Sequence, residues 1–456
     1  MKWLAELKLL IPLVVIVGLV IMIPQVFRED SIIGEKSYYY LRIAEDPLIS
    51  EDPLSFGGRR HVFNPYPIII TFVGSILGLE LASKIVPLIV CLMIVVIFYF
   101  ILRFHGITKT ISVLSILLLA GTPSFLYLAN VSDTHSVVLL LILLAYFSQQ
   151  LKNTFFSTFF LLPIPLFGIN YLVIVLFLLM VLWIHSKKIP SIQMVGVACV
   201  GLIPLIRYGL PVSLSSHVLF PFFEFGVING VSLFVLFLTI VGFHSFQNTK
   251  YQYASVYALV IGLFVLSLFT EWGASFLMIP ASPIAILGLQ HMFNDERGYR
   301  FFRNAILILA AAGVVLSSVL AVGQLVDAEP SKDVFSSLEF LRGESKTESV
   351  VLSHPDNGFW ISAISRNKNV IDEHYYNSPN LKERWYDIQT LFHTTDIDEA
   401  EKVIRKYNIK YFYIDKDMKS GQVWDGKTGL LFLFGASNKF NIIYESEEVE
   451  IWKSLF

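Results

Sequence analysis

Long apolar runs dominate the chain. With about 20 helical residues needed to cross the hydrocarbon of a bilayer, they predict spans near 9–27, 83–102, 110–128, 135–151, 154–169, 170–186, 192–207, 228–245, 252–270, 273–292 and 304–325, eleven crossings in all. The apolar stretch 64–79 is shorter, opens with Pro65 and Pro67 and carries Gly74 and Gly78. It is expected to lie at or dip into the interface rather than cross. The run 9–27 follows Lys2 and Lys8, is long enough to span and lacks a small-residue cleavage site, so it reads as a retained anchor.

With 64–79 kept out of the count, Arg103, Lys109, Lys152, Lys187, Lys188, Lys250, Arg297, Arg300 and Arg303 all fall on the side of Lys2 and Lys8. The positive-inside rule then makes the N-terminus cytoplasmic, and the long first loop (28–83) and the C-terminal region extracytoplasmic. After Val326 the pattern changes to that of a globular domain. "ESVVLS" and "IKYFYID" read as strands, "DIDEAEKVIRKYN" as a helix opened by acids, and "FNIIYESEEVEIWK" as a terminal hairpin. The expected division is 1–326, a membrane domain that includes the 28–83 loop, and 327–456, a small outer α/β domain. No transporter-like repeat and no low-complexity linker is visible.

Composition agrees: 55% hydrophobic and 15% charged residues, with a mean hydropathy of +0.65, exclude a water-soluble enzyme. A net charge of −2 offers no global attraction to nucleic acid. Cys91 and Cys199 lie within apolar runs and read as small hydrophobes, not redox groups.

Candidate chemistry concentrates on the outer face. In "GEKSYYYLRIAEDP" (34–47) Glu35 and Arg42 share one helix face about two turns apart, and Tyr38, Tyr39 and Tyr40 are expected to seat that helix on the membrane surface. Glu45 and Asp46 read as solvated loop charges. "FGGRR" places Arg59 and Arg60 after two glycines, a short pattern able to cradle phosphate. In "LANVSDTHS" Asp133 and His135 lie at a span end, where Ser132 or Asp133 also suits a helix cap. The Asn-Val-Ser at Asn130 sits too near the membrane to weigh as a glycosylation acceptor. Arg207, His217, Glu224, Glu271 and Trp272 complete the outer-edge candidates, Arg207 being able to snorkel or to meet a lipid phosphate.

The sequence "GEKSYYYLRIAEDP…SEDPLSFGGRR…NPYP" resembles the first outer loop of GT-C class membrane glycosyltransferases, in particular archaeal relatives of oligosaccharyltransferase catalytic subunits and of polyprenyl-phosphate-sugar transferases. The resemblance matches Glu35 to that class's first acid and Asp133 to its second. "SHPDNGFWI" (353–361) is similar to the oligosaccharyltransferase pattern S-W-W-D-Y-G-Y-W-I, with Ser353, Asp356, Gly358, Trp360 and Ile361 in place. His354 and Pro355 replace its two tryptophans, which argues against general Asn-X-Ser/Thr recognition.

The resemblance implies a polytopic α-helical GT-C-like protein with an extracytoplasmic α/β domain. It also implies inverting transfer of a sugar from a polyprenyl-phosphate or -pyrophosphate carrier to a glycan, lipid or protein acceptor. Glu35 and Asp133 would be the acid/base carboxylates or ligands of a divalent cation, Mg²⁺ or Mn²⁺. Arg42, Arg59, Arg60 and Arg207 would hold the carrier phosphate, and His135, His217, Glu224, Glu271, Asp356 and Trp360 would face acceptor or substrate. The competing classes are a transporter, against which stand the scarcity of mid-span charges and the missing repeat, and a non-catalytic receptor or scaffold for lipid-linked saccharides. Sequence does not bear on the sugar, the acceptor or the oligomeric state.

Overall fold

The apolar runs fold as helices. The computed structural model describes residues 2–28, 31–55, 58–168, 170–186, 191–208, 222–245, 254–270, 272–294, 300–345, 349–375 and 378–456. In chain order its elements begin α1 (Lys2–Phe27), α2 (Glu35–Ile43), β1 (Glu51–Asp52), β2 (Arg59–Arg60), α3 (Pro65–Leu77), α4 (Leu79–Phe104), α5 (Lys109–Ala120), α6 (Pro123–Asn130), α7 (Thr134–Gln150) and α8 (Thr154–Leu161). There follow α9 (Asn170–Ser186), α10 (Ser191–Tyr208), α11 (Leu233–Ser245), α12 (Ala254–Ser267), α13 (Gly273–Asn294), α14 (Arg300–Val326) and α15 (Lys332–Glu344). The remainder comprises β3 (Val350–Leu352), α16 (Gly358–Trp360), β4 (Lys368–Asn369), α17 (Leu381–His393), α18 (Ile397–Tyr407), β5 (Ile409–Asp415), α19 (Lys416–Lys419), α20 (Leu430–Ala436), β6 (Phe440–Glu445) and β7 (Val449–Ser454).

The chain divides into two units. One holds Met1–Glu29, Asn64–Tyr66 and Lys84–Asp327; the other holds Asp30–Phe63, Pro67–Ser83 and Ala328–Phe456. The last division falls between Asp327 and Ala328, and most of the 28–83 loop lies in the second unit.

In the first unit, Glu6–Phe27, Leu79–Phe104, Gly273–Phe293 and Asn304–Val326 are long and apolar enough to cross a membrane, and α5 with α6 forms a fifth candidate bent by 67°. Length therefore supports four or five crossings among the described residues, against the eleven expected. Two expected spans are broken by local chemistry. The 110–128 segment breaks at Gly121, whose carbonyl accepts from Ser318, with Pro123 starting the next helix. The 154–169 segment ends as α helix at Leu161, ahead of Pro163 and Pro165. Helix α3 has 13 residues, roughly 20 Å of rise, short of a ~30 Å hydrocarbon core.

Polar groups tie these helices together. Asn130 Nδ2 donates to Ile21 O (3.0 Å) and Leu126 O (2.8 Å), and the Arg28 guanidinium donates to Leu325 O and Val326 O at the end of α14, where free carbonyls and the helix dipole favour a cation. Helices α11 and α13 approach most closely through glycine. A Cβ at Gly242 would run into the Ile284 carbonyl, and one at Gly288 would meet the Leu238 carbonyl and come within 2.6 Å of Gly242 N. Thr239 of α11 shares its hydroxyl proton between Val235 O and Ala281 O (2.8 and 3.3 Å). Small residues permitting backbone approach are the usual means of helix association in lipid.

The second unit centres on a five-stranded sheet ordered β4-β3-β5-β7-β6, in which β3 runs parallel to β4 and β5 while β7 is antiparallel to β5 and β6. Alternation along β5 sends Phe412 and Ile414 to one face and Tyr411 and Tyr413 to the other. The first face is covered by Ile388, Leu391 and Phe392 of α17, Val403 and Ile404 of α18, and Leu433 and Phe434 of α20. The second is covered by Val334, Leu338 and Leu341 of α15, by Trp360 to Ile364, and by Ile32 and Tyr38 from the first loop. The expected strands, helix and terminal hairpin are all present, the helix capped by Asp396, which accepts from Asp398 N.

Gly288→Val should force α13 away from α11 and lower stability by about 1–3 kcal/mol, the usual cost of overpacking. Thermal unfolding of the detergent-solubilised protein, compared with Gly435→Val, whose added Cβ meets nothing within 4 Å, measures the difference.

Candidate active site

Helix α2 begins at Glu35, after Gly34 at φ 80°, whose N–H donates to Glu329 O (3.2 Å). Position and partner give this carboxyl its character. Burial, then the charge of Glu373 and a hydrogen bond with it, push the Glu35 pKa up to about 10, against a smaller opposing pull from Lys36. Two carboxyls in hydrogen-bond contact cannot both ionise cheaply, so they hold a proton between them.

The three tyrosines that follow are not an interfacial belt; all are buried within the second unit. Tyr38 packs with Trp360, Tyr411 and Tyr413 and its hydroxyl accepts from Ile32 N. Tyr39 lies 4.9 Å from Phe359 and 4.7 Å from His374, ring centre to ring centre, and its hydroxyl meets His61 Nδ1 at 3.0 Å. The amphipathic helix therefore turns its aromatic face into a protein core.

Beneath those rings lies a buried ion cluster. Arg42 and Asp52 form a two-pronged pair (2.6 Å for one prong), Arg59 Nη2 donates to Asp52 (2.7 Å), and Arg59 Nη1 donates to Asp372. The Arg59 and Asp52 side chains are only 2% and 1% exposed. Burial alone would raise the Asp52 pKa, but Arg42 and Arg59 outweigh it and hold the carboxyl below the usual range. His61 is pushed down to about 4 by burial and by Arg59, and is neutral. Arg59 also lies 5.5 Å from the centre of the Tyr39 ring. Of the loop arginines expected to bind phosphate, Arg42 and Arg59 are thus committed to carboxylates, whereas Arg60 is exposed on β2. Glu45, expected to be merely solvated, forms a two-pronged surface pair with Arg366.

In the 353–361 segment Asp356 is half-exposed, 3.3 Å from His354, and accepts from Gln422 Nε2 (2.8 Å). Trp360 is 6% exposed and belongs to the core, so it offers no surface to an acceptor. Asn357 donates to Ser353 Oγ (3.0 Å) and to Asp415.

The first unit carries a separate polar cluster where α7 begins. Asp133 is its N-cap: Oδ1 accepts from Thr134 N and from Thr134 Oγ1 (3.0 Å). Asp133 Oδ2 is buried, accepts no hydrogen bond, and lies 3.1 Å from His135 Nε2. Nδ1 of His135 is hydrogen-bonded to the Tyr171 hydroxyl, which also meets Thr134 Oγ1 at 2.7 Å. The Tyr171 ring lies 5.9 Å from that of Trp272. The "NPYP" loop joins this unit too, since Asn64 Oδ1 accepts from Tyr66 N and the Tyr66 hydroxyl meets Ser132 Oγ at 2.9 Å. Asp133 is thus the helix cap that the sequence allowed.

Glu224 has structural work instead: it accepts from Ser232 Oγ (3.1 Å), Ser317 Oγ (2.9 Å) and Leu233 N, capping α11. Arg207 lies on α10 with its side chain outside the described residues, as are His217 and Glu271 entirely. Sequence reading passed over Glu373, Asp372 and Tyr171. The dense "IDEHYY" run at 371–376 was the available signal for the first two; Tyr171, in an apolar run, gave none. Among the described residues no three His, Cys, Asp or Glu side chains gather closely enough to hold a metal ion by themselves.

The sequence matches no protein-family model, and no curated protein matches it. Solved structures do match. Archaeal oligosaccharyltransferase AglB from Archaeoglobus fulgidus, in complex with an inhibitory peptide and a dolichol-phosphate, superposes with a TM-score of 0.67 at 15% identity, covering 91% of this chain and 70% of that one. The A. fulgidus oligosaccharyltransferase in complex with Zn and sulfate gives 0.62 at 16%, covering 97% and 73%. ArnT from Cupriavidus metallidurans bound to undecaprenyl phosphate gives 0.55 at 11%, covering 98% of both chains. The likeness is one of fold: this chain shares the overall architecture of these structures.

Two consequences of the second unit's electrostatics are measurable. Arg59→Met leaves Asp52 and Asp372 facing each other without their shared cation and should cost about 3–5 kcal/mol; adding Asp372→Asn should recover part of that loss in thermal unfolding. Glu35 keeps its proton when folded but releases it above about pH 4.5 when unfolded, so its contribution to stability declines as pH rises from about 4.5 towards 10. Glu35→Gln should therefore raise Tm relative to wild type by more at pH 8 than at pH 4.

Proposed function

We propose that this protein is a membrane glycosyltransferase that moves a sugar from a polyprenyl-phosphate or -pyrophosphate carrier to an acceptor on the outer membrane face. Its N-terminus is then cytoplasmic and the 327–456 domain extracytoplasmic, an orientation supported by the basic residues distributed on one side of the predicted spans. The observation that carries the reading is Asp133, fixed through Oδ1 with Oδ2 buried beside His135, on a fold shared with proteins solved with dolichol-phosphate and undecaprenyl phosphate.

In the proposed reaction an acceptor heteroatom bonds to the anomeric carbon as the bond from that carbon to the carrier's phosphate oxygen breaks. The electron pair leaves with the phosphate, the acceptor's proton passes to a carboxylate, and a single displacement inverts the anomeric centre. We assign the proton to the Glu35–Glu373 pair: two carboxyls holding one proton still contain one carboxylate, able to take a proton at neutral pH. Exposed Arg60 and, from sequence, Arg207 are assigned to the carrier phosphate, because Arg42 and Arg59 are already neutralised by Asp52 and Asp372. Asp356, half-exposed, is the acceptor-side candidate of the outer domain.

The sequence reading named Glu35 and Asp133 as ligands for Mg²⁺ or Mn²⁺. The donor set that fits best is Asp133 with His135, whose Nε2 lies 3.1 Å from the buried Asp133 Oδ2. A bound divalent ion would supply positive charge to the departing phosphate.

The test is transfer of labelled sugar from a polyprenyl-phosphate donor by purified full-length protein in nanodiscs. Asp133→Asn and Glu35→Gln should each reduce kcat by at least ~10²-fold, and Arg60→Ala should raise the donor KM with little effect on kcat. Transfer unchanged in both carboxylate variants would reject the assignment.

A further inference from the structure

Within residues 30–83, Asn64–Tyr66 are set in the first unit, while Asp30–Phe63 and Pro67–Ser83 lie in the second. The sequence there, Asn-Pro-Tyr-Pro, is a helix start in which each residue type answers one need. Asn64 precedes α3, and its Oδ1 accepts from Tyr66 N (2.9 Å), which satisfies an amide of the first turn. Pro65 and Pro67 fill the other early positions, where no N–H is required. The same side-chain amide donates through Nδ2 to Phe167 O (3.2 Å), so its orientation is set by an N–H on one side and a carbonyl on the other. With the backbone so fixed, the Tyr66 ring is fully buried and its hydroxyl meets Ser132 Oγ at 2.9 Å. Burial raises the Tyr66 pKa against a lowering pull from the Ser132 contact, and the charge of Asp133 adds to the rise, so this hydroxyl keeps its proton.

Both partners of this motif lead into the candidate site. Val131 is the C-cap of α6 and Asp133 the N-cap of α7, which leaves Ser132 as the single residue between two helix ends. Ser132 is fully buried, and displacing it turns the peptide that carries Asp133. Phe167 closes the short 164–167 turn ahead of Tyr171, whose hydroxyl meets Thr134 and His135. We propose that Tyr66 is a positioning residue that, through Ser132, sets the turn from which Asp133 projects, with Asn64 holding both Tyr66 and the 164–167 segment. The inference rests on the role proposed for Asp133 above and adds to it a part of the site supplied by the first outer loop. Tyr66 acts by fixing where a carboxylate stands, and a misplacement of about 1 Å at such a group costs up to ~10²-fold in rate.

The test uses the full-length protein in nanodiscs and two readouts. Hydrogen–deuterium exchange reports on the turn without any substrate: Tyr66→Phe, which removes one oxygen and keeps the ring, should speed exchange of the 131–136 amides by about 10-fold. In transfer of labelled sugar from a polyprenyl-phosphate donor, the same variant should lower kcat by about 10- to 100-fold with the donor KM unchanged. Ser132→Ala should reproduce both effects, and the Tyr66→Phe/Ser132→Ala double variant should be no worse than either alone. Added to Asp133→Asn, Tyr66→Phe should cost nothing further. Tyr257→Phe, which deletes a comparable hydroxyl bond to Phe243 O (3.0 Å) in α12, should change neither readout. Thermal unfolding identifies a variant that merely fails to fold, and Ser132→Ala then tests the same contact from its other end. Wild-type exchange and kcat in Tyr66→Phe, while Asp133→Asn abolishes transfer, would overturn the role of Tyr66 and leave that of Asp133 standing. Undiminished transfer by Asp133→Asn would overturn the proposed role of Asp133, and this inference with it, even if exchange in Tyr66→Phe were faster.

Discussion

A single buried guanidinium makes the 30–63 loop part of the second unit. Arg59 donates to Asp52 within the loop and to Asp372, more than three hundred residues later, while its face lies against Tyr39 and Phe359. Such a charge is tolerated only when its donors are satisfied, which requires the loop strands β1 and β2, the helix α2 and the 371–374 segment to hold one arrangement. The position of Glu35 follows, because α2 is bound on its aromatic face by the same rings that cover the guanidinium. The ion cluster fixes the backbone that carries Glu35.

What was legible in the sequence was what depends on local pattern. The apolar runs, the β5 strand with its alternating faces, the acid-capped α18 and the terminal hairpin need only periodicity and caps, and they recur within a few residues of expectation. What was not legible depends on pairing across the chain. Three consecutive tyrosines after an apolar segment suit either a membrane interface or a protein core, and only the Phe359, Trp360 and His374 partners, far away in sequence, decide for the core. Arg59 next to Arg60 looks like a phosphate cradle until Asp372 is seen to occupy the first of them. Hydropathy likewise marks apolar helices without counting crossings, since a proline or glycine that breaks a run hardly alters its average, as at Gly121 and Pro123.

The candidate site shows the same division. Asp133 was found from its place at a span end, and its competing role as a cap was recognised with it, because both need only the residue and its neighbours. Tyr171 was invisible, since a tyrosine within an apolar run carries no sign that its oxygen links a histidine to a threonine. Glu224 shows the converse. An acid in a short outer loop reads as chemistry, yet two serines and a helix N-terminus consume its lone pairs, and a carboxylate so satisfied has little left with which to act.

The two surviving carboxylates meet the cost of burial in opposite ways, which bears on what each can do. Glu35 is answered by another acid, so its environment favours a proton over charge. Asp133 is held through one oxygen by an amide and a hydroxyl, and its other oxygen lies 3.1 Å from His135 Nε2. An environment that favours a shared proton differs from one built of fixed donors, so the two acids are not interchangeable.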